Sequence, residues 1–86
     1  MRSGYVIRFL DYGDRSFVSI RRNHFCLAGE GFAVSFTKND LLDPVVKRFF
    51  SDKDYELIPA EYCRWHGGIV KYKSEQYPGQ YKYDEC

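Results

Sequence analysis

No sign of charge dominates this chain. Thirteen Lys and Arg stand against twelve Asp and Glu, a formal net charge of +1, so no global field steers it toward nucleic acid or an anionic membrane. Residues 1 to 50 carry eight basic and five acidic groups and residues 51 to 86 carry five and seven, which leaves only a mild basic lean in the first half. Long apolar runs are also missing. None approaches the ~18 residues of a membrane span, and the opening MRSGYVIRFLDYG has no long apolar segment ending in a small-residue cleavage site. The expected location is the cytoplasm, with no membrane contact. Cysteine is scarce: Cys26, Cys63 and Cys86 cannot all pair within one molecule, which argues against a secreted disulfide scaffold.

Catalytic signatures are absent as well. The chain contains no Gly-x-Ser-x-Gly elbow, P-loop, GxGxxG or His-Glu-x-x-His. Gly29-Glu30-Gly31 has too few glycines for a phosphate cradle and an acidic residue where phosphate would sit. An enzyme is therefore not expected. The remaining catalytic reading is a small metal-independent ribonuclease using His24 and His66 as an acid-base pair, but nothing in the sequence fixes their separation.

Aromatic residues are what the chain has in abundance, with seven Phe and eight Tyr making up most of a 19% aromatic content. Each buried ring removes on the order of 150 to 250 Å² from water, so a small core can be built from few aliphatic side chains. A length of 86 residues fits one compact domain spanning residues 1-86.

The segment Asp40 to Ser51, DLLDPVVKRFFS, organises the rest. Leu41, Val45 and Phe49 recur at helical spacing, and Leu42, Val46 and Phe50 repeat it one place on, giving a wide apolar stripe. Thr37 and Asp40 match a capping box at one start, while Asp43 followed by Pro44 offers a rival start. Ahead of this helix, YVIRFL (5 to 10) and Ser16 to Arg22 read as a β-hairpin across Tyr12-Gly13-Asp14. NHFCL (23 to 27) either extends the second strand or bends away. FAVSF (32 to 36) alternates cleanly and is expected as the third strand, with Phe32, Val34 and Phe36 inward.

After the helix, YELI (55 to 58) is a strand stopped by Pro59, and Ile69 to Lys73 is the last secure strand. Residues 74-86 are either an edge hairpin or a tail. The expected fold class is α+β: an antiparallel sheet of four to five strands in the order β-β-β-α-β-β, with one helix packed across one face.

Three constellations carry candidate chemistry. His24, Cys26, Cys63 and His66 form a Cys₂His₂ set, and a bound zinc would staple a chain this short, although His-x-Cys is not a usual half-site. Arg64, Lys71, Tyr72, Lys73 and Lys82 interleave cations with rings, as a single-stranded nucleic-acid platform does. Trp65, Tyr72, Tyr77, Tyr81 and Tyr83 supply the large amphipathic rings used in protein interfaces.

The expected function is a small non-enzymatic binding protein that acts on another protein. Compact domains of this kind are used by phages and mobile elements to inhibit host machinery in anti-defence roles, an analogy at the level of fold. Single-stranded nucleic-acid binding is the alternative. Homodimerisation through the Ile69 to Lys73 edge is a further expectation.

Overall fold

The computed structural model of the chain describes residues 4–21, 24–64, 70–71 and 81–85, the last two stretches as backbone. Its frame is a five-stranded sheet in the order β5-β1-β2-β3-β7. In chain order the strands are β1 (Tyr5–Phe9), β2 (Phe17–Arg21), β3 (His24–Ala28), β4 (Val34–Ser35), β5 (Tyr55–Pro59), β6 (Val70–Lys71) and β7 (Tyr81–Glu85), with α1 (Pro44–Phe50) between β4 and β5. Four neighbouring strands, β5, β1, β2 and β3, are antiparallel. With a single α-helix among the described residues, the fold is α+β as expected. The last strand departs from that pattern. β7 joins β3 in parallel, which needs a long crossover, and the chain between them provides one.

The expected hairpin forms, with Arg8 opposite Phe17 and Gly13 in the left-handed conformation (φ 65°) within the connecting turn. The third strand, however, is His24–Ala28, paired along its length with β2. FAVSF contributes only the two-residue β4, which pairs with β6 in a separate parallel sheet. The reason is local: Glu30–Phe32 closes into a 3₁₀ turn, so alternation begins after Phe32. That ring is 60% exposed, whereas Val34 and Phe36 are buried as expected. Ile69 to Lys73, expected as a full strand, is represented by Val70 and Lys71 alone among the described residues.

The helix takes the second of its two candidate starts. Asp43 is the N-cap, its carboxylate accepting from the Val45 N–H at 2.9 Å, and Pro44 occupies the first turn, where no donor is lost. The capping box also forms, around a separate 3₁₀ turn at Asp40–Leu42. Thr37 N–H donates to Asp40 Oδ2 at 2.9 Å, and Asp40 N–H to Thr37 Oγ1 at 3.1 Å. This break turns Leu42 away from the sheet, while Leu41 still packs against the helix-side core. Leu42 is 65% exposed, while Val46, Phe49 and Phe50 are buried.

The two faces of the sheet are packed differently. On the helix side, Ile7, Phe9, Val18, Phe25 and Leu27 meet Val46, Phe49 and Phe50 of α1, together with Val34 and Phe36. Phe49 lies 5.5 Å from Phe9 and 5.1 Å from Phe25 between ring centroids, near the middle of this aromatic cluster. On the opposite side, Val6 and Phe17 are covered by Ala33, Ala60 and Cys63. These last three belong to or flank the short 3₁₀ turns Glu30–Phe32 and Ala60–Tyr62, so this is the turn side.

β1 diverges from β2 at its first residue. Tyr5 exchanges two backbone hydrogen bonds of 2.7 Å with Phe36, which brings the β4 segment alongside β1. Gly4 makes that approach feasible: its φ is 96°, and a Cβ there would stand 2.7 Å from the Phe36 carbonyl oxygen.

Candidate functional site

The turn side carries the most exposed aromatic residues among those described. Phe32 ends the turn Glu30–Phe32 and is 60% exposed, and Tyr62 ends the turn Ala60–Tyr62 and is 74% exposed. Each turn is anchored from below. Ser19 on β2 donates its hydroxyl to the Phe32 carbonyl at 2.6 Å, and the Ala60 N–H donates to the Gly4 carbonyl at 3.0 Å. The turns are also joined to each other, because Ala33, Ala60 and Cys63 share one buried cluster and the Arg64 N–H donates to Glu30 Oε2 at 3.4 Å. Two outward rings therefore stand on a fixed backbone support, the arrangement in which an aromatic contact loses little conformational freedom on binding.

Beside Phe32 lies an open groove of about 350 Å³, lined by Arg15, Ser19, Ile20, Arg21, Ala28 and Phe32. Its position follows from strand alternation. Phe17, Ser19 and Arg21 of β2 face the turn side, and the small residues Ser19 and Ala28 leave room under the Phe32 ring. Arginine and an aromatic face in one groove can engage carboxylate or phosphate together with a planar group.

The sequence-predicted sites are only partly within the described residues. Trp65, His66, Tyr72, Lys73 and Tyr77 lie outside them. Tyr81, Lys82 and Tyr83 fall on β7, at the edge of the sheet beyond β3, and Lys71 falls on β6. The remaining member, Arg64, is exposed beside the second turn. Sequence reasoning missed Phe32, Tyr62, Arg15 and Arg21. A signal for the first two was available, since each sits next to a Gly- or Pro-containing turn, where a ring can lose its place in a strand's alternation.

The acid-base and metal candidates are dispersed. His24 is half-buried on β3 opposite Arg21, and its Nδ1 has no hydrogen-bond partner. Cys26 is disulfide-bonded, which withdraws its sulfur from metal ligation while that bond stands. Cys63 is a buried thiol outside any disulfide, its Sγ 4.0 Å from the Pro59 carbonyl oxygen. Among the described residues, no group of three or more His, Cys, Asp or Glu side chains is placed to hold a metal ion. Nor is any described helix long and apolar enough to cross a membrane.

No family model, curated protein or solved structure matches the chain.

Proposed function

We propose that this chain is a non-enzymatic binding protein that engages another protein through its turn side. The observation that carries the reading is the pair of rings, Phe32 at 60% and Tyr62 at 74% exposure, on turns fastened to one buried cluster. Burying such rings against a partner gains apolar contact without first ordering the backbone, and Tyr is among the residue types that dominate interface energetics. A protein of this kind acts by occupying a partner's surface, which is the means available to an inhibitor of host machinery. The test is affinity capture from a source-cell lysate by the wild type and by the Phe32→Ala/Tyr62→Ala double variant, with nuclease added to half of each sample. A stoichiometric protein retained after nuclease and lost at least tenfold with the double variant is expected. Equal retention by both proteins would remove this surface from the interaction.

Single-stranded nucleic acid is the second reading, and the groove beside Phe32, with Arg15 and Arg21 in its lining, favours it. Under that reading capture disappears with nuclease. Affinity for an unstructured oligonucleotide then falls steeply as salt rises, because phosphate contacts release counterions.

A further inference from the structure

The outer edge of β5 has its own chemistry, separate from the turn side. Leu10 N–H donates to the Asp54 carbonyl and Ala60 N–H to the Gly4 carbonyl, each at 3.0 Å, so the even-numbered residues of the β1–β5 pair exchange the ladder bonds. Between those bonds the alternation of an antiparallel ladder turns the backbone of Tyr55, Leu57 and Pro59 away from β1. Tyr5 and Phe9 confirm the parity from the other strand, since their N–H groups donate away from β5, to Phe36 and Ser16. Among the described residues β5 is the terminal strand of its sheet, and no described strand lies beside this outer row of groups.

Edge strands usually carry features that discourage pairing, above all an outward charge. β5 has few. Its one charged residue, Glu56, is drawn toward the neighbouring strand, where its Oε1 accepts from Arg8 Nη1 at 2.9 Å. Tyr55 and Leu57, opposite Phe9 and Ile7 on the helix side, are 39% and 41% exposed. An apolar row and an open row of backbone groups thus coincide on one short strand.

We propose that β5 pairs antiparallel with β5 of a second copy about a two-fold axis through Leu57, joining two sheets into one. The register follows from elimination. An axis at Glu56 sets two carboxylates directly opposite each other, which like-charge repulsion disfavours. An axis at Ile58 keeps only two hydrogen bonds within the strand, from each Leu57 N–H to the opposing Pro59 carbonyl, because Pro59 has no N–H to return and the Tyr55 partner falls outside the strand. The axis at Leu57 matches outward-facing residues with one another. The two Leu57 residues exchange a pair of hydrogen bonds and Tyr55 N–H donates to the opposing Pro59 carbonyl at each end, four bonds in all, with the Tyr55 carbonyls left to water because Pro59 cannot donate. It also places both Leu57 side chains in contact, flanked by the two Tyr55 rings, on the helix side of the joined sheet. The strand is only five residues long, so the interface falls well below a standard one and self-association is weak.

Sedimentation equilibrium from micromolar to millimolar protein tests this. The mass is expected to rise from 10.2 kDa toward twice that value, while Leu57→Lys, which places two ammonium groups at the axis, remains monomeric throughout. A register-sensitive second readout is oxidative cross-linking. Leu57 residues facing each other in a hydrogen-bonded antiparallel pair have Cα atoms about 5.5 Å apart, within disulfide range. Leu57→Cys should therefore cross-link in mild oxidant at least tenfold faster than Glu56→Cys, and it covers the case in which Leu57→Lys does not fold. A wild type that stays monomeric at millimolar concentration, a Leu57→Lys variant that assembles like the wild type, or equal cross-linking at the two positions would each overturn the proposal.

Discussion

The helix side and the turn side of one sheet are closed by different means. On the helix side, large rings from strand and helix fill the space together: Phe9, Phe25 and Phe49 lie within 5.5 Å of one another along two ring pairs, and Phe36 approaches Phe25 at 6.3 Å. On the turn side, Val6 and Phe17 lie under Ala33, Ala60 and Cys63. Small residues let the turns sit close to the sheet, and the buried member of each turn is small: Gly31 in one and Ala60 in the other. Phe32 and Tyr62, the last residue of each turn, are left outside. One side thus holds most of the aromatic burial, and the other displays aromatic surface. The comparison separates residues that stabilise the fold from residues available for binding.

The sharpest way to break that division is from the helix side. Phe49→Ala removes a fully buried ring at the centre of its cluster, and loss of a buried Phe costs about 3–5 kcal/mol. For a domain of this length that is a large share of total stability. Urea titration followed by far-ultraviolet circular dichroism should show the midpoint collapse, with any loss of binding tracking the unfolded fraction. A midpoint near that of the wild type would mean that the helix side is not the principal core.

Gly4 is where the two sides are held together, since its neighbour Tyr5 bonds to Phe36 and its own carbonyl accepts from Ala60. Gly4→Ala adds a Cβ at a φ of 96° and within 2.7 Å of a backbone oxygen. Strain and clash together are expected to cost on the order of 3 kcal/mol. Amide hydrogen exchange would report the site of damage. Faster exchange at Tyr5, Phe36 and Ala60 before any change at Phe49 is the expected order, and uniform loss across the sheet would show that this junction is not a separable element.

Much of this division was readable from sequence wherever a residue pattern answers to one local cause. The Tyr12-Gly13-Asp14 turn between two alternating runs specified the hairpin, and Asp43-Pro44 was one of two candidate helix starts, the one the helix uses. The third strand was harder to read because Phe25, Cys26, Leu27 and Ala28 are all buried. A strand covered on both faces loses the polar alternation that marks a half-buried one. FAVSF has that alternation, but its first ring belongs to a turn. The parallel β3–β7 pair joins residues more than fifty positions apart, and no local pattern encodes it. For the site, composition drew attention to the Tyr-rich C-terminal stretch, whereas the two most exposed rings of the described structure come from turns. Ring exposure at a turn is decided by backbone geometry, which composition does not record.

The smallest expected effect is also the most discriminating. Phe32→Ala and Tyr62→Ala remove side chains that are already mostly in water, and exposed substitutions usually change stability by no more than about 0.5 kcal/mol. The Ser19 bond to the Phe32 carbonyl involves the backbone and survives the substitution. The double variant should therefore unfold at nearly the wild-type urea midpoint even as it loses its partner. If the midpoint instead falls by an amount typical of a core substitution, the two rings help to close the turn side. They would then belong with Phe49 as structural residues, and the contrast between the two faces would not mark the binding surface.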